Sequence, residues 1–219
     1  MFTPLSYSSS SKSSSLTSFT AEMPKLENGS YMFRNCGQLN SFNVDTLENL
    51  KTGTYMFYNA VSLHEFSYDL PNLTNGQYMF HRYSKQSTNL TIKEGLNLDS
   101  LTNGQYMFYN TGLTKFSSSL PSITNAQGMF YGCTLDKESV EFIVNDLKTK
   151  NNLKTNGVLT IGTSKEYQSD QEFREMLGET ALERNNQPGE KYPNDYPQYM
   201  TTSLKSLGGG TWKITTYWY

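Results

Sequence analysis

Apolar residues recur along this chain in a phrase, not at the short period of a single helix or strand. The phrase reads E-N-G-S-Y-M-F at 27–33, K-T-G-T-Y-M-F at 51–57, T-N-G-Q-Y-M-F at 74–80 and 102–108, and T-N-A-Q-G-M-F at 124–130. Its pairs Met32-Phe33, Met56-Phe57, Met79-Phe80, Met107-Phe108 and Met129-Phe130 stand 24, 23, 28 and 22 residues apart. A Leu and a Phe three residues apart follow (Leu39 and Phe42, Leu63 and Phe66, Leu113 and Phe116). Two more apolar positions with the same spacing come next: Leu47 and Leu50, Leu70 and Leu73, Leu98 and Leu101, Leu120 and Ile123. Leu16, Phe19, Met23 and Leu26 repeat this spacing ahead of the first pair, so the array starts mid-repeat. Units of this size cannot bury their apolar faces alone and must stack on one another.

The expected fold is therefore an α/β repeat solenoid, a leucine-rich-repeat array with one short strand per repeat and a helix-containing C-terminal cap. After Phe130 the pattern changes. Asp136 is placed to cap a helix carrying Val140, Ile143, Val144 and Leu147 at i, i+3, i+4 and i+7. Val158 to Ile161 reads as a strand after Asn156-Gly157. Ser169 and Glu172 form a capping box for a second helix with Phe173, Met176, Leu177 and Ala181 on one face. Residues 185–200 read as loop and Thr201 to Leu207 as a short helix, broken at Gly208 to Gly210. The alternating run T-W-K-I-T-T-Y-W-Y then reads as a final strand stacked on Val158–Ile161. Three parts result: a Ser-rich tail at 1–15, the solenoid at 16–163 and a helical and strand cap at 164–219.

Three groups of residues are candidates for contact. Around each Leu-x-x-Phe the outward positions are polar and differ between repeats: Asn40, Ser41 and Asn43; His64, Glu65 and Ser67; Thr114, Lys115 and Ser117. Fixed apolar positions with variable outward ones describe a scaffold bearing a binding face. The third repeat carries about four or five extra residues between Phe80 and Leu101. His81, Arg82, Tyr83 and Lys85 make that insertion the most basic local patch, and solenoid insertions map to loops on one face. Trp212, Ile214 and Trp218 line one side of the last strand, a candidate docking edge. The Asn-Gly steps at 28–29, 75–76 and 103–104 are read as turns that use positive φ.

The repeated phrase resembles the BspA-like leucine-rich repeats of bacterial surface proteins, in the variant with a Met-Phe pair, and the resemblance covers roughly 16–163. It implies a surface adhesin or binding protein. Similar arrays in phage structural proteins imply an alternative, a virion component that docks through open repeat ends. The final Trp-containing strand is similar to the ends of such arrays.

Composition narrows the chemistry. Net charge is −2 with 17% charged residues, and no Lys/Arg stripe accompanies the aromatics, so no nucleic-acid partner is expected. No apolar run is long enough for membrane insertion. Met1 to Thr20 holds no leader-like apolar segment, so no signal peptide is read, although the resemblance implies an extracellular or surface-exposed protein. His64 and His81 lack a carboxylate or Cys spacing suited to a metal, and no phosphate loop or nucleophile motif is present. No enzyme, cofactor or metal is therefore expected. Cys36 and Cys133 occupy the same slot four repeats apart. At ~4.8 Å per stacked strand that is about 19 Å, beyond the roughly 7 Å reach of a disulfide, so both should be buried thiols. The expected partner is a host or partner surface protein or glycan, with a homo-oligomer or virion neighbour as the alternative.

Overall fold

The computed structural model describes residues 14–83, 89–150, 157–177, 183–184, 199–207 and 210–219. Ala181, Lys85 and the residues before Ser14 lie outside them. The repeated apolar positions form one core running the length of the array: Leu39, Leu63, Leu70, Leu98, Leu113 and Ile123 are all buried, as are Phe57, Phe80, Phe108 and Phe130. The Phe rings stack repeat on repeat, Phe33 on Phe57 at 5.4 Å and Phe57 on Phe80 at 5.5 Å, continuing through Phe108 to Phe130. This is a solenoid-like stack of short strands.

Two ladders connect the units, where one strand per repeat was expected. The first follows the Leu-x-x-Phe segments. β1 (Ser18–Ala21) pairs in parallel with β2 (Ser41–Val44), and β3 (Glu65–Phe66) with β4 (Thr91–Ile92). The second follows the Asn-Gly steps. Parallel bridges run from Asn28 to Thr52, Asn75, Asn103 and Asn125. β5 (Asn125–Ala126) then pairs with β6 (Gly157–Thr163), which pairs with β9 (Gly210–Trp218).

The Asn-Gly steps are thus ladder positions, not turns with positive φ. Positive φ falls instead on Tyr31, Tyr55, Tyr78 and Tyr106, at 54–63°, with Gly128 in the same slot of the fifth repeat. Gly is required at the ladder for space. A Cβ on Gly53 would lie 2.9 Å from the Sδ of Met79, and one on Gly29 2.7 Å from that of Met56. Each Gly receives the Met of the following repeat; Ala126 stands in that slot where the following unit carries no Met. The strained tyrosines stack on one another, Tyr31 on Tyr55 at 5.1 Å and Tyr55 on Tyr78 at 4.7 Å, with Tyr106 completing the column.

Helix α1 (Lys137–Lys150) begins as expected, with Asp136 Oδ1 accepting from the Ser139 N–H at 2.9 Å. It buries Val140, Ile143, Val144 and Leu147. Asp146 ties it to the fourth repeat, accepting from the Leu120 N–H at 2.7 Å and the Ser119 hydroxyl at 2.8 Å. Helix α2 (Gln171–Met176) is capped one residue later than expected. Asp170 Oδ1 accepts from the Phe173 N–H at 3.0 Å, because Ser169 ends a 3-10 turn over Lys165–Ser169. The segment read as a short helix at 201–207 belongs to β8 (Tyr199–Leu207), which pairs antiparallel with β9, while β7 (Glu183–Arg184) pairs with β8. β-branched Thr201 and Thr202 suit a strand, and β9 supplies the partner. Cys36 and Cys133 are buried free thiols.

Candidate binding face

The Leu-x-x-Phe segments place the predicted outward residues on one side of the array. Asn40, Asn43, His64, Glu65, Ser67, Thr114 and Lys115 are all exposed, while their neighbours Leu39, Phe42, Leu63, Phe66, Leu113 and Phe116 are buried. The buried residues stand three apart and both residues between them face outward or lie half-buried, a spacing that strict strand alternation does not give. Backbone bonds hold successive segments together. Asn40 N–H donates to the Thr17 carbonyl at 2.9 Å, Thr91 N–H to His64 at 2.8 Å, and Asp136 N–H to Thr114 at 2.9 Å.

A cavity of about 400 Å³ opens on this face. Its walls are residues 90–94 on one side, 113–117 on the other, and Asp136, Glu138, Ser139 and Phe142 from the start of α1. The volume falls within the range of small-ligand sites. On the α1 side the Phe116 N–H donates to Ser139 Oγ at 2.9 Å. Thr114 and Lys115 were legible as outward residues. Ile92, Glu94 and Phe142 were not, since the walls meet only when three units stack.

The insertion residues separate. His81 is sandwiched between Tyr58, at 4.8 Å and 18°, and Tyr109, at 4.6 Å and 5°. Burial pushes its pKa down to about 4. Arg82 does not belong to a surface patch. It is 2% exposed and donates to the Leu63 carbonyl at 2.8 Å and the Thr111 carbonyl at 3.5 Å. Burial lowers its pKa to about 10. The neighbouring slot explains the reversal. Cys36, Ala60, Thr111 and Cys133 fill it in other repeats and are buried. Here it holds Tyr83, which is 61% exposed, and the Arg82 side chain lies inside instead. Tyr83 packs edge-on against Tyr58 at 5.1 Å. Burial and the Tyr83 hydroxyl raise the Tyr58 pKa.

The docking edge expected at Trp212, Ile214 and Trp218 is also corrected. β9 lies between β6 and β8, so it is no edge, and all three side chains are 1% exposed. Alternation turns them inward, where Phe173 of α2 meets Trp218. Among the described residues the exposed large apolar side chains of the repeat phrase lie in the first repeat. Met32 is 37% exposed and Tyr31 49%, whereas Met56, Met79, Met107 and Met129 are fully buried.

Among the described residues no three His, Cys, Asp or Glu side chains gather as a metal site, and no helix is long and apolar enough to cross a membrane.

The model of the BspA type leucine rich repeat region matches six copies over residues 6–136. Neither curated proteins nor solved structures gave a match. Repeats of this type are typical of surface-associated proteins with a protein-binding or adhesive role, and they are typically non-catalytic. A repeat phrase, a stacked core and the family match agree: the chain belongs to the BspA-type leucine-rich-repeat family.

Proposed function

We propose that this protein is a surface-exposed, non-catalytic recognition module that binds a host or partner surface protein or glycan through the Leu-x-x-Phe face. The observation that carries this reading is the exposure of Asn40, Asn43, His64, Glu65, Ser67, Thr114 and Lys115 over buried neighbours, with a cavity beside Thr114 and Lys115. Exposed strand residues that differ from repeat to repeat add little to the core, so their variety is free to serve a ligand. The full chain should be tested for capture on a panel of immobilised extracellular-matrix proteins and glycans, beside a variant carrying His64→Ala, Glu65→Ala, Thr114→Ala and Lys115→Ala. All four sites are exposed, so the variant should keep its fold. Loss of capture supports the face; undiminished capture refutes it.

A second reading, an assembly component of a virion that docks through an open repeat end, rests on Met32 and Tyr31. These side chains are exposed only in the first repeat. Light scattering decides: a defined oligomer that Met32→Glu dissolves favours it, and a monomer at all concentrations counts against it.

A further inference from the structure

The first ladder is interrupted twice, and the two interruptions are closed differently. Between β2 and β3 the side chain of Tyr68 reaches across. Its hydroxyl donates to the Phe42 carbonyl and accepts from the Val44 N–H, both at 3.1 Å. Its ring packs edge-on against Phe42 at 5.6 Å and Phe66 at 5.5 Å. The phenol thus stands in for a missing strand bond. The second interruption lies two repeats on, between β4 and residues 114–118. The slot that held Tyr68, two residues after the repeat Phe, now holds Ser118. Ser118 is 1% exposed and its hydroxyl has no partner. The side chain is too short to bridge Ile92 and Glu94. The neighbouring Ser117 reaches only Gly95, whose N–H it accepts at 3.1 Å, and the cavity of about 400 Å³ opens beside it, lined by Ser117, Ile92 and Glu94.

The bonding groups on the cavity wall match those that Tyr68 satisfies. Phe66 pairs with Ile92, so Ile92 and Glu94 correspond to Phe42 and Val44. Thr91 and Lys93 send their N–H groups to His64 and Phe66 on the β3 side. Backbone groups alternate along a strand, so those of Ile92 and Glu94 point to the other side, toward the cavity. Among the described residues neither the Ile92 carbonyl nor the Glu94 N–H has a hydrogen-bond partner. Ile92, Phe116 and Phe142 on the walls offer apolar contact for a ring.

We propose that this cavity binds a phenol, and that its occupant is a tyrosine side chain presented by the partner protein. The ring lies among Ile92, Phe116 and Phe142, and the hydroxyl donates to the Ile92 carbonyl and accepts from the Glu94 N–H, as Tyr68 does with Phe42 and Val44. This assignment rests on the Leu-x-x-Phe side being the contact face. Thr114 and Lys115 at the mouth would meet the polypeptide that carries the tyrosine.

The test is an amide NMR titration of the full chain with N-acetyltyrosinamide, N-acetylphenylalaninamide and p-cresol. The tyrosine amide should produce saturable shifts at Ile92 and Glu94 and slow hydrogen exchange at Glu94. The phenylalanine amide, lacking the hydroxyl, should bind at least about tenfold more weakly. Ser118→Tyr should fill the cavity with its own phenol and abolish the shifts. Equal response to both amides, no effect at Glu94, or unchanged binding in Ser118→Tyr would overturn the proposal. Binding of p-cresol with the tyrosine amide excluded would overturn the assignment to a partner's tyrosine. The Glu94 exchange measurement on the unmodified chain decides even where Ser118→Tyr fails to fold. If Ser118→Tyr leaves captured partner unaffected while the four-alanine variant loses it, the cavity reading fails and the face reading stands. If the tyrosine amide binds but the four-alanine variant captures normally, the face reading fails and takes with it the assignment to a partner's tyrosine, while the phenol site itself stands.

Discussion

Replacing Met79 and Gly53, singly and together, tests the contact on which the stack depends. Met79 is fully buried, and a Cβ on Gly53 would meet its Sδ at 2.9 Å and its Cε at 3.2 Å. Met79→Ala removes the side chain that fills this space and should cost about 2–5 kcal/mol through lost transfer energy and the void left behind. Gly53→Ala introduces a methyl where no room exists; overpacking of this kind costs roughly 1–3 kcal/mol. In the double variant the new methyl occupies part of the void. Its cost should therefore fall short of the sum of the singles by about 1–2 kcal/mol, within the range seen for residues in contact. Urea unfolding of the four proteins measures the cycle, with midpoints compared at an unchanged slope. Additivity within about 0.5 kcal/mol would mean that the two positions do not share the space and would refute the Gly–Met account of repeat spacing.

Three further outcomes follow from particular bonds. Tyr68→Phe keeps the ring but strips the partner from the Val44 N–H and the Phe42 carbonyl; it should destabilise by roughly 1–2 kcal/mol and speed exchange of the Val44 amide, measured by NMR. Asp146→Ala leaves the buried Leu120 N–H without its acceptor and should cost about 1–3 kcal/mol, read as a lowered urea midpoint. His81 is held neutral by burial, with a pKa near 4 against 6.5 when unfolded. The unfolded chain therefore takes up a proton below pH 6.5 while the folded chain does not. Stability is full above that pH and is lost as pH falls toward 4, by up to about 3 kcal/mol. His81→Tyr, which copies the neighbours Tyr58 and Tyr109 in the stack, should flatten the thermal midpoint between pH 6.5 and 5 relative to the unmodified chain.

Much of the fold is written in single residues at fixed spacing, and those were legible. Leu39, Leu63 and Leu113 are buried at the same slot of their repeats, and Asp136 caps α1 through bonds three residues away. The contacts that escaped are those made between residues a full period apart. Gly53 reads locally as a flexible turn residue, yet its role is set by Met79, 26 positions on. Arg82 reads as a surface cation until the exposed Tyr83 shows that the interior slot was left to it. Residues 201–207 read as helical because their partner, β9, lies beyond the Gly run. The candidate face was visible as variable polar positions, but the cavity was not. Its walls come from β4, residues 113–117 and α1, and the comparison of Ser118 with Tyr68 two repeats earlier gains meaning only once the Tyr68 hydroxyl is seen to bridge.

The Gly–Met contact also governs how such a chain can change its copy number. Each Gly engages the Met of the unit after it, so a whole period duplicated or deleted between Gly29 and Met129 restores the same pairing at both new junctions. Growth past the fifth unit is different. Ala126 already carries the methyl that an incoming Met would strike, and at Gly128 the absent side chain is what lets the Tyr106 ring close the tyrosine column. Internal recombination is therefore permitted by packing, whereas extension at that end requires new residues at both positions. The two substitutions that mark the last repeat act as a stop signal, written in side-chain volume, for the length of the array.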